Sequence, residues 1–483
     1  MRSFLQFFFL LFLFQPIFPV MAIDIALPEM GDSAGALISP REEHEIGQAF
    51  YWRLQQTTDL VDDPEVTSYI HSLGYRLASN SDAPNLDYTF FVVPDASVNA
   101  FATPGGYVGV NSGLILTADS EDEVASVMAH EIAHITQRHI LRSFENSKRM
   151  TIPRTAALIA AALLGAADPR AGSAAIMAVQ AGSVQSQIDY TRAHEAEADN
   201  LGMHTLVKAG FNPNAMPNFF EKLQQASRYY GGSAIPEFLR THPVTTSRIA
   251  DARGRAVKYD VTTRLSDHEQ FYLIKEKLRV MAAQNPNDIV TYYESQLKRD
   301  NIEHPEAMRY GYVLALLKDR QYTSARTQLK MLIDEEPDRL SYQLALADIE
   351  MAVGRTQAAL DIYEDNQRLY PDDRALSLNQ VNALLKVGQP VKAAKLLQAQ
   401  LDLGENSRDI YKLMAQAKGD MGQTSQSHVW LAEFYYSSGL LRAAADQLHL
   451  AAESAGRNEY ELAKIASRLR EVENAISEME DKS

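Results

Sequence analysis

A 34-residue period in the C-terminal half constrains the fold more than any other feature. Ala325, Ala359 and Ala393 recur at that spacing, as do Gly354, Gly388 and Gly422, and Pro337 and Pro371 stand the same interval apart. A unit of that length holds one helix, a turn and a second helix, with alanine where helices cross closely and proline where a helix ends. Around Gly439 the pattern returns, with Ala444 five residues on, as Ala393 follows Gly388. At least four helix pairs are expected from about residue 268 onward, the first and last degenerate. One pair cannot bury its apolar face alone, so the pairs stack into a solenoid with a concave face. That face suits peptides or partner proteins, and Tyr342, Tyr363 and Tyr411 are candidates to line it, although some must be core. The other reading is a rigid spacer.

The N-terminal half carries a different signal. In His130-Glu131-Ile132-Ala133-His134 two histidines stand four residues apart and share one helix face. Both imidazoles can then reach one tetrahedral zinc ion. Glu131 lies beside them and can accept a proton from a water held there. Ser120 is a cap, Glu121, Asp122 and Glu123 fill a first turn, and Val124, Val127, Met128, Ile132 and Ile135 recur with helical spacing. The motif is therefore expected inside a half-buried helix. Upstream, Tyr88 to Val93 reads as a strand. After a turn containing Pro104-Gly105-Gly106, Tyr107 to Val110 reads as another. Such a unit offers an edge to which an extended peptide can pair.

A catalytic zinc site takes a third protein ligand and leaves a fourth position open. A third histidine six residues after His134 is excluded, because Ile140 stands there. His139 is expected to point away from His130. The better candidate lies in residues 194–199, where Glu195 and Asp199 share a helix face and Gly202 continues the stripe, allowing close approach to the first helix. Glu195 can ligate while Asp199 accepts a hydrogen bond from a ligand histidine. Glu197 projects to the other side as a surface residue. Taken alone, the stretch would read instead as a solvated acidic helix face.

Together these motifs carry a family resemblance. The H-E-x-x-H and E-x-x-x-D patterns, Asn99-Ala100-Phe101-Ala102, Pro104-Gly105-Gly106, and Thr241-His242-Pro243 with Arg248 six residues after its histidine resemble the M48 zinc peptidases over about residues 40 to 255. The resemblance implies one Zn2+ held by His130, His134 and Glu195, with Glu131 as catalytic base and Asp199 orienting a ligand. It also places His242 near the metal. There His242 would either donate to the oxyanion or occupy the open position as a latch. Pro243 biases His242 toward an extended conformation. Arg248 would steady that loop or a substrate carbonyl.

Arg2, the apolar run Phe4 to Phe14 broken only by Gln6, and Val20-Met21-Ala22 read as a secretory signal cleaved near Ala22, with an uncleaved anchor as the other reading. The sequence has no cysteine, which rules out disulfides, thiolate ligands and cysteine catalysis and suits an oxidising periplasm. A net charge of −16 opposes nucleic-acid binding and leaves at most peripheral membrane contact. Residues 156–167 and 171–179 are apolar, broken by Asp168-Pro169-Arg170, and each is too short to span a bilayer. They read as a buried hairpin or as a mobile flap over the cleft.

The expected fold is mainly α. Behind a signal peptide (1–22) stands an α+β protease domain (23–262) with a small β-sheet beside the zinc helix. An α-solenoid of tetratricopeptide repeats (263–483) follows. The combination resembles an exported M48 branch and implies a periplasmic zinc endopeptidase with a chaperone-like role in outer-membrane β-barrel assembly. Its substrates would be unfolded or stalled β-barrel proteins, and its repeats would dock on the barrel-assembly machinery. The alternative is a proteolytically silent chaperone or adaptor that binds partners through its repeats.

Overall fold

The computed structural model describes residues 38–143, 191–229, 236–259 and 269–481. The expected signal segment and the apolar stretch 156–179 lie outside the described residues. Helix α1 (Pro40–Thr57) opens with a capping box, Ser39 and Glu42 satisfying each other's backbone N–H groups. Helix α2 (Pro64–Ala78) is capped by Asp63, whose carboxylate accepts from Glu65 and Val66. Three strands follow: β1 (Thr89–Val93), β2 (Ala100–Thr103) and β3 (Tyr107–Asn111). Their order is β1-β3-β2, with β1 parallel and β2 antiparallel to β3.

This corrects the expected strand–turn–strand unit. The Pro104-Gly105-Gly106 turn joins β3 to β2, a strand the pattern did not reveal. Its Ala-Phe-Ala-Thr sequence is short and half alanine, a weak β signal. Gly105 and Gly106 have φ of 80° and 91°, and a side chain on Gly106 would collide with the Asp87 carbonyl.

Helix α3 (Ser112–Thr117) leads into α4 (Glu121–Thr136), capped by Ser120 as expected. Residues 191–208 form α5, followed by α6 (Ala215–Tyr229), α7 (Glu237–Thr241) and α8 (Thr246–Ala256). Helix α4 is sunk on nearly every side rather than half-buried. Its Val124, Met128 and Ile132 share a core with Ile70, Val108 and Phe219.

The helices of the second half are α9 (Glu269–Ala282), α10 (Pro286–Gln296), α11 (Pro305–Lys318), α12 (Tyr322–Glu335), α13 (Leu340–Ala352), α14 (Thr356–Leu369), α15 (Arg374–Lys386), α16 (Pro390–Asp402), α17 (Arg408–Asp420), α18 (Thr424–Ser437), α19 (Leu441–Ser454) and α20 (Glu459–Asp481). They form the expected helical-repeat array. Ala325, Ala359, Ala393 and Ala444 are fully buried. Gly354, Gly388 and Gly422 end helices with φ of 79°, 70° and 73°. Arg320 holds the same place one period earlier at φ 61°, so the first repeat keeps the geometry after losing the glycine. Tyr342 and Tyr363 are core residues, not groove lining: their rings fill space beside the small alanines. Tyr411 is partly exposed and stacks on Trp430.

The array meets the first half at several places. Phe271, Ile274 and Leu278 of α9 complete the core that holds α4, and Lys277 pairs with Asp63 at 3.0 Å and with Glu65. Arg374 of α15 donates to Thr67 in α2 at 3.1 Å. Farther along, Trp52 of α1 lies so close over Gly439 that a Cβ there would overlap its ring. No helix among the described residues is long and apolar enough to cross a membrane.

Candidate metal centre

Helices α4 and α5 pack closely enough to bring their polar faces together. A Cβ on Gly202 would lie 3.0 Å from the His130 backbone, so the expected close approach is met. His130 Nε2 is 3.0 Å from His134 Nε2 and 3.4 Å from Glu195 Oε2, and His134 Nε2 is 3.5 Å from Glu195 Oε1. The loop between α7 and α8 adds His242, whose Nδ1 is 3.0 Å from Glu195 Oε1 and 3.4 Å from His130 Nε2. These four donor atoms all lie within 4.8 Å of one another.

Tetrahedral ligands at zinc distances are separated by about 3.3 Å, and the observed separations bracket that spacing. Three ring nitrogens and one carboxylate converging in a largely buried site fit a divalent cation. Glu131, 1% exposed, turns Oε1 toward His242 Nε2 at 3.5 Å and accepts a backbone hydrogen bond from Ala102 in β2.

Asp199 lies behind the cluster, its Oδ1 3.1 Å from His130 Nδ1. Arg248 grips it through Nε at 2.8 Å and Nη2 at 2.7 Å. The same guanidinium donates to the Pro243 carbonyl at 3.0 Å and pairs with Glu195 at 2.9 Å. Arg248 therefore steadies the His-Pro loop, one of its two expected roles. The His242 ring also stacks on Phe238, and its backbone N–H donates to the Phe238 carbonyl.

Burial favours the neutral imidazole of His130, but Asp199 and Glu195 reverse this and raise its pKa to about 9. The Glu195 and Asp199 carboxyls are held low despite burial, chiefly by hydrogen bonds to His130. Burial and the neighbouring His130 push His134 well down. Burial pushes the Glu131 carboxyl up.

The sequence reading missed three side chains. Helix α4 stops at Thr136, Arg138 takes φ 52°, and His139 turns back rather than away. His139 Nδ1 reaches His134 Nδ1 at 2.8 Å, and its Nε2 meets Glu197 Oε2 at 3.0 Å. Arg142 closes on that carboxylate, also at 3.0 Å, so Glu197 is not a free surface residue. The available signal was a histidine just past the motif, together with a carboxylate two residues from Glu195.

A small recess lies beside the cluster, lined by Ala102, Thr103 and Pro104 together with His134 and Ile135. Residues 64–256 match Peptidase family M48. The chain is 34% identical over 443 residues to the beta-barrel assembly-enhancing protease of Escherichia coli (strain K12), covering 92% of this chain and 90% of that protein. It is 37% identical over 404 residues to the putative beta-barrel assembly-enhancing protease of Vibrio cholerae, covering 83% of each. The mitochondrial metalloendopeptidase OMA1 of Schizosaccharomyces pombe is 28% identical over 211 residues, 43% of this chain and 59% of that protein. A buried His/Glu donor cluster built around an H-E-x-x-H helix, together with relatives similar along both halves, leads to one assignment: the chain belongs to the beta-barrel assembly-enhancing proteases, metalloendopeptidases of family M48.

Proposed function

We propose that the chain is a periplasmic zinc endopeptidase that acts on unfolded or stalled outer-membrane β-barrel proteins. Its signal peptide spans residues 1–22 and its peptidase domain 23–262. Its tetratricopeptide domain, 263–483, docks on the barrel-assembly machinery. The observation that carries the catalytic part is the convergence of His130, His134 and Glu195 beside the buried Glu131. Two imidazoles and one carboxylate suit zinc. When bound, the ion supplies Lewis acidity and lowers the pKa of a water to about 7.

Glu131 takes the proton from the attacking water and delivers it to the leaving amine, a task for a carboxyl whose proton affinity is raised by burial. Asp199 holds the His130 ring, and Arg248 holds Asp199. An extended client pairs with the outer edge of β2, across the recess from His134. His242 acts as a latch rather than an oxyanion donor. Support for this comes from its Nδ1, which lies among the ligand atoms, within 3.0 Å of Glu195.

Purified protein analysed for metal and assayed on an unfolded β-barrel protein tests this reading. Wild type should carry one zinc and cleave, with activity abolished by a chelator. Glu131→Gln should keep the zinc and lose about 10²–10⁴-fold in rate. Full zinc in both His130→Ala and Glu195→Ala would sink the ligand set.

A further inference from the structure

The two histidines of the motif are backed differently. His130 has a carboxylate behind it, Asp199, clamped by Arg248. His134 has another histidine behind it, and that histidine leads to a second carboxylate clamped by a second arginine. We infer that His139 and Glu197, with Arg142, form a hydrogen-bonded chain that locks His134 in the tautomer presenting Nε2 to the metal. The inference rests on His134 being a ligand, as proposed above.

The direction of this chain follows from its far end. Glu197, paired with Arg142 at 3.0 Å, is a carboxylate and only accepts. His139 Nε2, 3.0 Å from it, must therefore be the donor. A neutral His139 then has a bare Nδ1, which at 2.8 Å accepts from His134 Nδ1–H. With its proton on Nδ1, His134 has its lone pair on Nε2, the atom facing His130 and Glu195. The opposite direction would set the bare Nε2 of His139 against an anionic oxygen. A histidine ligand whose other nitrogen donates in this way is fixed in both ring orientation and tautomer.

The backbone is bent to permit the contact. Were α4 to continue, residue 139 would stand about 140° around the helix from residue 134. Instead Arg138 adopts φ 52°, a left-handed conformation that costs a non-glycine residue about 1–2 kcal/mol. Its side chain is tied to Glu43 and to the Ile38 carbonyl, each at 3.0 Å. His194, beside Glu195 on α5, stacks on the His139 ring at 4.2 Å and 13°, fixing its plane. His139 itself is 3% exposed. Strain, stacking and burial all hold one ring against the back of one ligand.

The test measures metal binding in the full-length protein by chelator competition, with the visible spectrum of the cobalt-loaded form and the thermal midpoint of the metal-free form beside it. His139→Phe keeps a stackable ring without an acceptor. It should weaken metal binding about 10–100-fold and shift the cobalt bands, with the metal-free midpoint unchanged. His139→Asn, whose side-chain carbonyl can accept from His134, should recover most of that affinity. Glu197→Ala should lose less than His139→Phe, and the double variant no more than His139→Phe alone, as expected of one chain.

Wild-type affinity and spectrum in His139→Phe, alongside loss of metal in His134→Ala, would overturn the inference. So would additive losses in the double variant, or equal losses in Phe and Asn with a lowered metal-free midpoint. Metal retained by His134→Ala would instead remove the ligand assignment itself.

Discussion

His242 faces Glu131 across the donor cluster, their nearest atoms 3.5 Å apart, while its other ring nitrogen touches Glu195. A side chain so placed either blocks the site or assists it, and one substitution separates the two. With zinc content held equal, His242→Ala should raise the proteolytic rate and the degradation of bystander proteins if the ring is a latch. A fall of about 10²-fold or more would instead assign it to the oxyanion. A second residue-scale expectation concerns Arg320, the left-handed arginine at a position where later repeats carry glycine. Arg320→Gly removes about 1–2 kcal/mol of backbone strain but adds about 0.5–1 kcal/mol of chain entropy in the unfolded state. The variant should be more stable by roughly 0.5–1 kcal/mol in urea unfolding. A less stable variant would mean that the arginine side chain contributes more than the strain costs.

At the scale of elements, α4 and α5 work as a pair, and the contact at Gly202 sets their separation. Gly202→Val would press a branched side chain onto the His130 backbone, since even its Cβ would stand only 3.0 Å away. Overpacking of that kind costs about 1–3 kcal/mol. The variant should lose metal affinity although no ligand has changed, and unaltered affinity would show that the helices can part without cost. Helix α4 was legible because three independent signals coincide there: the Ser120 cap, the acidic first turn and the apolar period. The pairing of Glu195 with Asp199 was legible for the same reason, since helical spacing fixes which residues share a face. Strand β2 was not, because four residues rich in alanine carry no periodicity of their own and owe their conformation to β3. The turn at Arg138 was hidden because the residue that adopts it is not glycine. The burial of Tyr342 and Tyr363 was hidden too, since helical period alone does not say which of two faces meets the next helix.

In the whole molecule, the two halves share core and charge where α2 meets α9 and α15. His71 of α2 lies near Arg374, and burial together with that guanidinium lowers its pKa from 6.5 to about 4. Between those values the unfolded chain binds the proton that the folded chain refuses, so the contribution of His71 to stability is complete above pH 6.5 and is lost toward pH 4. The single-site contribution is on the order of 3 kcal/mol. His71→Gln should flatten the acid limb of a stability–pH curve, and an unchanged limb would place the acid sensitivity elsewhere. Shortening the chain to end at residue 262 removes Phe271, Ile274 and Leu278 from the core under α4. Loss of one buried phenylalanine alone typically costs about 3–5 kcal/mol. The shortened chain should therefore unfold at markedly lower denaturant than the full one, and an equal midpoint would show the halves to be independent. That shared core also bears on timing. A chain made from its N-terminus delivers His130, His134 and Glu195 well before the three α9 side chains that finish the packing beneath them. Until α9 arrives, the emerging chain has these donor residues but no firm floor to hold them. Firm seating of the donor cluster thus waits until the repeat half has begun to form behind it.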